Sequence, residues 1–371
     1  MKDIFLFVLM LIFAFTSFNP LNAQWIQTPL DSVNVLSIAV NAGYIFATTD
    51  EYGIVFSTDG GTNWTQCNAD SPLVSVIALA VSGSNLFAGT QGNGVVLSTN
   101  NGISWTQAGF SNAIVNAIAC KDTTLFLGIQ RDGLYFSTDE GANWIQTELT
   151  NTSVVAIAFS DTNLFAVTYP PGVFTSADNG MNWTQTSLTD HIVYCLAVTP
   201  NGTGGTNLYA GTDGDGVFLS TDNGLSWTQV NSGLPKNPDD TTRYDAIANI
   251  EVSGTILFAA TAFSGVYLST DNGTSWTGVN DGFPKYYSLD KYMNIFTLKV
   301  IGAELFAGCE AGVLRRPLSD MITSTSTNPI SPPNYYRLNQ NYPNPFNSST
   351  SIASEVSIVT RVRLQVFNVL G

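Results

Sequence analysis

Charged side chains are scarce in this sequence, and basic ones are the scarcest. Asp, Glu, Lys and Arg make up only 11% of the 371 residues, with 13 basic side chains, 28 acidic ones and a single histidine. Amphipathic helices take their polar faces from Glu, Lys and Arg, so this composition disfavours a helical domain. The net charge of −15 repels phosphate backbones, and nucleic acid is therefore not an expected partner.

Cysteine and histidine are too few and too scattered to build a disulfide framework or a zinc site. The four cysteines share no common spacing, and His191 has no nucleophile motif beside it. We expect free, packed thiols, no metal and no cofactor. The stretch GTDGDG (211–216) leaves calcium binding by Asp213 and Asp215 as an alternative, but a plain turn is favoured because the ligand set is incomplete.

Glycine is abundant, with 32 residues, and much of it belongs to an internal repeat. The pattern Ser-x-Asp-x-Gly-x-x-Trp occurs six times, with Asn replacing Asp once, at 57–64, 98–105, 137–144, 176–183, 220–227 and 269–276. In such a turn the carboxylate accepts backbone N–H groups, Gly takes a positive φ and Trp folds onto the sheet. These residues are therefore predicted to be structural: Asp59, Asn100, Asp139, Asp178, Asp222, Asp271, Trp64, Trp105, Trp144, Trp183, Trp227 and Trp276.

A second repeat precedes each box and occurs seven times. It reads as a short apolar run followed by strand, Gly-containing turn and strand, as in VIALAV (76–81) followed by LFAGTQGNGVVLS (86–98). A continuously apolar run is typical of a strand that is packed on both faces. Four-stranded units at this period predict an all-β, seven-bladed β-propeller rather than a solenoid.

The seventh unit lacks both the box and the tryptophan, and the start of the chain supplies what is missing. Trp25-Ile26-Gln27 has the sequence that follows a box elsewhere. Residues 24–28 are therefore predicted to form the outer strand of the last blade and to close the ring. The alternative, an open array of repeats, would leave a sheet edge exposed.

The six boxes resemble the aspartate-box, or BNR-type, repeat of sialidases and sortilin-like receptors. That resemblance implies that the boxes lie at the outer edge of each blade, away from any active site. Sialidases of this kind hold the substrate carboxylate with three arginines and use a Tyr/Glu pair with an Asp acid. The predicted propeller offers Arg131, Arg243, Arg315 and Arg316 and has no early Arg-Ile-Pro motif, so sialidase activity is disfavoured.

The two ends of the chain differ in composition from the repeats. Residues 1–23 have Lys2, an apolar run and a small residue before Gln24, which predicts a signal peptide, and the propeller is predicted to span 24–320. Residues 321–334 are rich in Ser, Thr and Pro and are typical of a linker. Residues 335–371 form the predicted fourth part of the chain.

This last part resembles the start of the type A C-terminal sorting domain of the type IX secretion system. The segments LNQNYPNPFN (338–347) and VRLQVFNVLG (362–371) carry the resemblance, and the tail covers only the first part of that domain. It implies a partial β-sandwich, the type IX secretion machinery as a partner, and a secreted or outer-surface bacterial protein that reaches its destination through the periplasm. No membrane span is expected after signal removal, and the protein is expected to be a monomer.

Function is predicted to reside in the variable turns between the second and third strands and in two long connections, 232–245 and 280–294. The candidate ligand-binding residues are Asp50, Tyr52, Arg131, Asp132, Tyr169, Asp213, Asp215, Phe263, Tyr286, Tyr287 and Glu310. The aromatic side chains, together with Phe283 and Tyr292, are expected to provide a surface for a sugar or a peptide.

The favoured interpretation is a non-enzymatic binding module for a protein or a polysaccharide, and no catalytic residue is assigned. The alternative is an extracellular glycoside hydrolase that uses a carboxylate pair drawn from Asp50, Asp132, Asp213 and Asp215. A spacer role within a longer surface protein is a third interpretation.

Overall fold

A computed structural model describes residues 24–67, 75–201, 205–286 and 291–322, together with the backbone of 337–338 and 354–355. The predicted signal peptide, the linker from residue 323 onward, most of the tail and Tyr287 lie outside these residues. The chain divides into two compact units, Met1–Thr323 and Ser324–Gly371. The first unit is a seven-bladed β-propeller, which confirms the predicted fold class.

Each blade is an antiparallel four-stranded meander. The chain begins with β1 (Ile26–Asp31), which is followed by β2 (Val35–Asn41), β3 (Tyr44–Thr49), β4 (Gly53–Ser57) and β5 (Thr65–Gln66) in blade 1, and by β6 (Val76–Ser82), β7 (Asn85–Thr90), β8 (Val95–Ser98) and β9 (Thr106–Gln107) in blade 2. Blade 3 consists of β10 (Val115–Lys121), β11 (Thr124–Ile129), β12 (Gly133–Ser137) and β13 (Ile145–Thr150), and blade 4 of β14 (Ser153–Phe159), β15 (Leu164–Tyr169), β16 (Gly172–Ser176) and β17 (Thr184–Gln185). Blade 5 consists of β18 (Val193–Pro200), β19 (Thr206–Thr212), β20 (Val217–Ser220) and β21 (Thr228–Gln229), blade 6 of β22 (Ile247–Ser253), β23 (Ile256–Thr261), β24 (Val266–Ser269) and β25 (Thr277–Gly278), and blade 7 includes β26 (Ile295–Ile301), β27 (Glu304–Cys309) and β28 (Gly312–Pro317). The short helix α1 (Leu318–Ile322) follows, and β29 (Arg337–Leu338) pairs with β30 (Ser354–Glu355) in the second unit.

The first strand of the chain belongs to the last blade. The sheet order is β1-β28-β27-β26, with Ile26 opposite Arg315 and Gln27 opposite Leu314. Pairing continues to Asp31, which lies opposite Gly312 after an irregularity in the register. The N-terminal strand therefore occupies the position that a box-containing segment fills in the other blades.

The innermost strands contact one another around a closed ring: β2, β6, β10, β14, β18, β22, β26 and again β2. In every blade the ladder between the first two strands skips one residue near the start of the inner strand, the third residue in blade 4 and the second in the other blades, which forms a β-bulge. The bulged residues are Leu36, Ile77, Asn116, Val155, Tyr194, Ala248 and Phe296. None of them is fully buried.

The core is formed where neighbouring blades pack face to face. Each second strand has one fully buried aromatic residue at its centre: Phe46, Phe87, Phe126, Phe165, Tyr209, Phe258 and Phe306. In blades 1–5 its ladder partner is alanine, as with Ala39 opposite Phe46, whereas blades 6 and 7 have Glu251 and Lys299 there. Close approach between blades also requires small residues: a Cβ on Gly308 would lie 2.7 Å from a Val35 methyl group.

Helical structure contributes little to this fold. Within the described residues, no helix has the length and apolar character needed to cross a membrane.

Candidate functional site

The meander of each blade separates two ends of the propeller. Turns between the second and third strands and connections between blades lie at one end, which we call the loop end. Turns between the first and second and between the third and fourth strands lie at the other, which we call the box end. The repeated Ser-x-Asp-x-Gly-x-x-Trp segments are third-to-fourth-strand turns, as Ser57 to Trp64 between β4 and β5 illustrates.

The predicted box residues form the same hydrogen-bonded turn in all six repeats. In the first, the Ser57 hydroxyl donates to the Asp59 carboxylate at 2.8 Å and accepts the N–H of Gly61 at 2.8 Å. The Asp59 carboxylate also accepts the backbone and side-chain N–H groups of Asn63. Asn100 accepts the equivalent N–H of Ser104 at 2.9 Å. Gly61 has a φ of 82°, which side chains disfavour.

These hydrogen bonds favour the ionised carboxylate. Bonds from Asn63 and Ser57 lower the pKa of Asp59 to about 2, from a usual value of 3.8. Bonds from Ser226 and Ser220 lower the pKa of Asp222 to about 2 in the same way. The carboxylates therefore accept hydrogen bonds from groups of their own turns.

In blades 1–4, the candidate residues of the loop end make contacts close to their own turns. The Asp50 carboxylate accepts the backbone and side-chain N–H groups of Asn34, at 3.1 and 2.6 Å. Asp132 accepts the hydroxyl of Tyr135 at 3.0 Å. Three further candidates, Tyr52, Arg131 and Tyr169, are exposed on separate turns.

Blades 5–7 differ, because the two long connections bring candidate residues together. The Arg243 guanidinium lies 3.4 Å from the Asp213 carboxylate and donates to the Asp213 backbone carbonyl oxygen at 2.5 Å. Asp215 belongs to the same turn as Asp213, and its carboxylate lies 2.8 Å from Nδ1 of His191. Each of these carboxylates faces a basic side chain.

Lysines of the same connections lie over aromatic rings. The Lys236 ammonium is 3.4 Å from the centre of the Tyr244 ring, and the Lys291 ammonium is 5.2 Å from that of Phe263. Lys291 also forms an ion pair with Asp239, which joins the second long connection to the first. The charged heads, rather than open ring faces, therefore make up much of this surface.

Tyr286 and Glu310 form a hydrogen-bonded pair between the second connection and blade 7. Burial, together with the Glu310 carboxylate, raises the pKa of Tyr286 to about 12. The arginines that a sialidase would need around one carboxylate are separated here, since Arg131 lies on blade 3, Arg243 pairs with Asp213 and Arg316 bonds to the Val279 carbonyl oxygen.

The aromatic surface expected from residues 280–294 is smaller than predicted. Phe283 is only 5% exposed, since it packs edge-on against Trp25 with the ring centres 5.3 Å apart. Tyr292 is half-buried and donates its backbone N–H to Phe263 at 2.9 Å. Tyr287 lies outside the described residues.

Sequence reasoning missed Tyr194, the bulged residue of blade 5. It is 45% exposed at the loop end. Partial burial raises the pKa of Tyr194, and the negative charge of Asp213 raises it further, whereas the positive charge of Arg243 lowers it. The phenol therefore lies close to the Asp213–Arg243 ion pair. A bulge re-aims a side chain without a sequence signature of its own, so periodicity alone does not reveal it.

Asp245 was also missed: it is fully buried and accepts the Phe263 N–H at 2.8 Å, which supports the turn of blade 6.

We call the cluster of Tyr194, His191, Asp213, Asp215, Lys236, Asp239, Arg243, Tyr244, Phe263 and Lys291 the charged-aromatic patch. Among the described side chains, no three His, Cys, Asp or Glu residues come together as metal ligands. The patch has the chemistry of a recognition surface: paired charges, hydroxyls and ring edges held by two long loops.

Comparison with known proteins agrees with the fold and identifies a matching family. Residues 106–298 match the family model described as the DUF6242 beta propeller domain. No curated protein matches the sequence.

Several solved structures share the propeller. YCF48 bound to D1 peptide has a TM-score of 0.60 at 14% identity over 79% of this chain and 94% of that one. The GH74 xyloglucanase of Xanthomonas campestris has a TM-score of 0.64 at 17% identity, covering 80% of this chain and 54% of that one. The extracellular domain of a putative one component system from B. thetaiotaomicron has a TM-score of 0.62 at 15% identity, covering 80% of this chain and 40% of that one. At these identities the likeness concerns the fold.

Proposed function

The chain belongs to the DUF6242 beta propeller domain family, and from this premise we propose that it is a secreted or cell-surface recognition module. It binds its ligand, a protein or a polysaccharide, through the charged-aromatic patch of blades 5–7. The observation that carries the proposal is the bridging of the two long connections by Lys291 and Asp239. This contact, with Arg243 on Asp213, fixes a charged surface in advance of binding.

A protein ligand fits this patch better than a sugar chain does. Sugars stack on open aromatic faces, whereas here Lys236 lies over the Tyr244 ring. Alternating acidic and basic side chains suit the polar rim of a protein interface, where charge pairs direct orientation. YCF48, a propeller of similar fold, is bound to D1 peptide in its solved structure, so a peptide ligand is compatible with this fold.

An extracellular glycoside hydrolase is the second candidate, favoured by the likeness to the GH74 xyloglucanase. Hydrolysis needs two carboxylates that face one bond. Here Asp213 pairs with Arg243, Asp215 with His191, and Asp132 accepts a bond from Tyr135. These separate engagements favour binding over hydrolysis.

One experiment separates the two functions. Residues 24–322 would be tested for binding to purified cell-surface proteins and arrayed glycans, and for turnover of xyloglucan and chromogenic glycosides. We expect binding to a protein that Arg243→Ala and Lys291→Ala weaken, with no turnover. Arg131→Ala, an exposed arginine on blade 3, is the matched control. Turnover that Asp213→Asn abolishes would overturn the binding module and support the hydrolase.

The proposed route of export rests on the two ends of the chain. The signal-like residues 1–23 and the tail motifs at 338–347 and 362–371 support passage through the periplasm and the type IX secretion machinery. The test is expression of the full chain in a bacterium that has this machinery. Removal of 335–371 is expected to leave the propeller in the periplasm, and secretion that is unchanged by this removal contradicts the route.

A further inference from the structure

A second recessed surface lies at the box end of blades 3–5, opposite the charged-aromatic patch. It is a pocket of about 780 Å³, within the size range of small-molecule sites. Its walls include Lys121, Phe159, Asp161, Val198, Pro200 and Asn223. None of these residues belongs to the loop end.

The first-to-second-strand turns of blades 3 and 4 form one side of the pocket. In blade 3 this turn contains only Asp122 and Thr123, between β10 and β11. In blade 4 the turn extends over residues 160–163. Ser160, Asp161 and Thr162 of this longer turn line the pocket together with Lys121 and Asp122.

Hydrogen bonds connect several of the residues that line the pocket or lie next to it. The Lys121 ammonium donates to the backbone carbonyl oxygens of Ser160 and Asp161, each at 3.0 Å. Asn163 donates its backbone N–H to the Ser160 hydroxyl at 2.9 Å. In blade 5, the Asn201 side chain accepts the Gly205 N–H at 2.8 Å. A pocket with fixed walls loses little entropy when a ligand binds.

Polar groups at the rim remain available to a ligand. The side chains of Asp122, Asp161 and Asn223 are exposed and have no hydrogen-bond partner among the described residues. Phe159 contributes a partly exposed ring, held by packing against Phe126 with the ring centres 5.5 Å apart. Val198 and Pro200 extend this apolar wall.

We propose that this pocket binds a short neutral saccharide. Carboxylate and amide groups hydrogen-bond to sugar hydroxyls, and the C–H face of a sugar ring packs on a phenyl ring and on proline. A sugar acid is disfavoured because Asp122 and Asp161 stand at the rim of a protein with a net charge of −15. Lys121 adds one positive charge to this wall, so the two carboxylates of Asp122 and Asp161 still leave it with a net negative charge.

The test is calorimetric titration of residues 24–322 with neutral oligosaccharides of glucose, xylose and mannose, and with polygalacturonate. Two variants alter the pocket: Asp161→Ala removes a hydrogen-bonding group, and Thr162→Trp fills the space beside it. We expect each to weaken binding of a neutral oligosaccharide by about tenfold or more. Glu148→Ala removes an equally exposed carboxylate from the outer strand β13 and is expected to leave binding unchanged.

Three results would overturn the proposal: no neutral oligosaccharide binds, binding is insensitive to both pocket variants, or polygalacturonate binds more tightly than every neutral sugar. The variant Arg243→Ala distinguishes a failure of this proposal from a failure of the proposed function. It alters the loop end only, so it is expected to leave saccharide binding unchanged whether or not the charged-aromatic patch binds a protein.

Discussion

Trp25 donates its indole N–H to the backbone carbonyl oxygen of Val279 at 2.7 Å, across 254 residues of chain. The Arg316 guanidinium donates to the same oxygen at 2.9 Å, and the Trp25 backbone N–H bonds to Asp281 at 2.8 Å. The first described strand, the end of blade 6 and the last strand of blade 7 are thus joined at one point.

Replacing Trp25 is expected to weaken ring closure. Trp25 is 4% exposed and packs on Phe283, so Trp25→Ala should lower the free energy of unfolding by about 3–5 kcal/mol. Urea titration of residues 24–322, followed by circular dichroism, measures this loss. The comparison variant is Trp64→Ala, since Trp64 is half-buried and its indole nitrogen has no hydrogen-bond partner among the described residues. An equal loss in both variants would show that closure has no special role.

The box turns predict a loss of stability in acid. The pKa of Asp59, Asp178 and Asp222 is about 2 in the folded chain, against a usual value of 3.8. A carboxylate with a depressed folded pKa stabilises the fold above its unfolded pKa and loses that contribution as the pH falls through the folded pKa. The thermal midpoint should therefore fall between pH 3.8 and about 2. Changing all three to Asn, the residue present at Asn100, should flatten this fall, and an unchanged slope would contradict the assignment.

The four cysteines are expected to differ in reactivity. All are free, and burial raises the pKa of Cys67, Cys195 and Cys309 to about 12, whereas Cys120 is only partly buried. The thiolate is the reactive form, so a thiol reagent should modify Cys120 alone in the native protein and all four cysteines in denaturant. Cys120→Ser should abolish native labelling. Rapid native labelling of a second cysteine would contradict the packing between blades.

Glu251 is expected to strengthen the seam between blades 6 and 7. Its carboxylate accepts the Val300 N–H at 3.0 Å and lies 3.1 Å from the Lys299 ammonium. Glu251→Ala should lower the free energy of unfolding by about 1 kcal/mol, since the backbone bond is lost. Lys299→Ala removes only a partly exposed partner and should cost about half as much or less. Chemical unfolding measures both, and a larger loss for Lys299→Ala would contradict this division.

The sequence predicts the propeller well because its signals are local and repeated. Each turn from Ser57 to Trp64, or its counterpart, contains the donors and acceptors that it needs within eight positions. The number of blades follows from counting the inner-strand units. The segment that begins at Trp25 could be placed because its sequence is that of a strand that follows a box.

The charged-aromatic patch could be predicted only in part, because its contacts join distant residues. Asp213 was a candidate, but its pairing with Arg243 depends on how the connection 232–245 folds back. Phe283 was expected at the surface and is buried, because its partner Trp25 arrives from the other end of the chain. Tyr194 was missed, since a bulge changes the register without changing the apolar pattern.

The seven bulged residues also make this propeller suitable for engineering. Because the ladder passes over Leu36, Tyr194 and their five counterparts, a replacement there removes no residue pair of the ladder. The bulges recur once per blade around the ring, so a library that varies these positions together would present new combinations of side chains on one scaffold. The closed ring would then serve as a framework for selecting binders with chosen specificity.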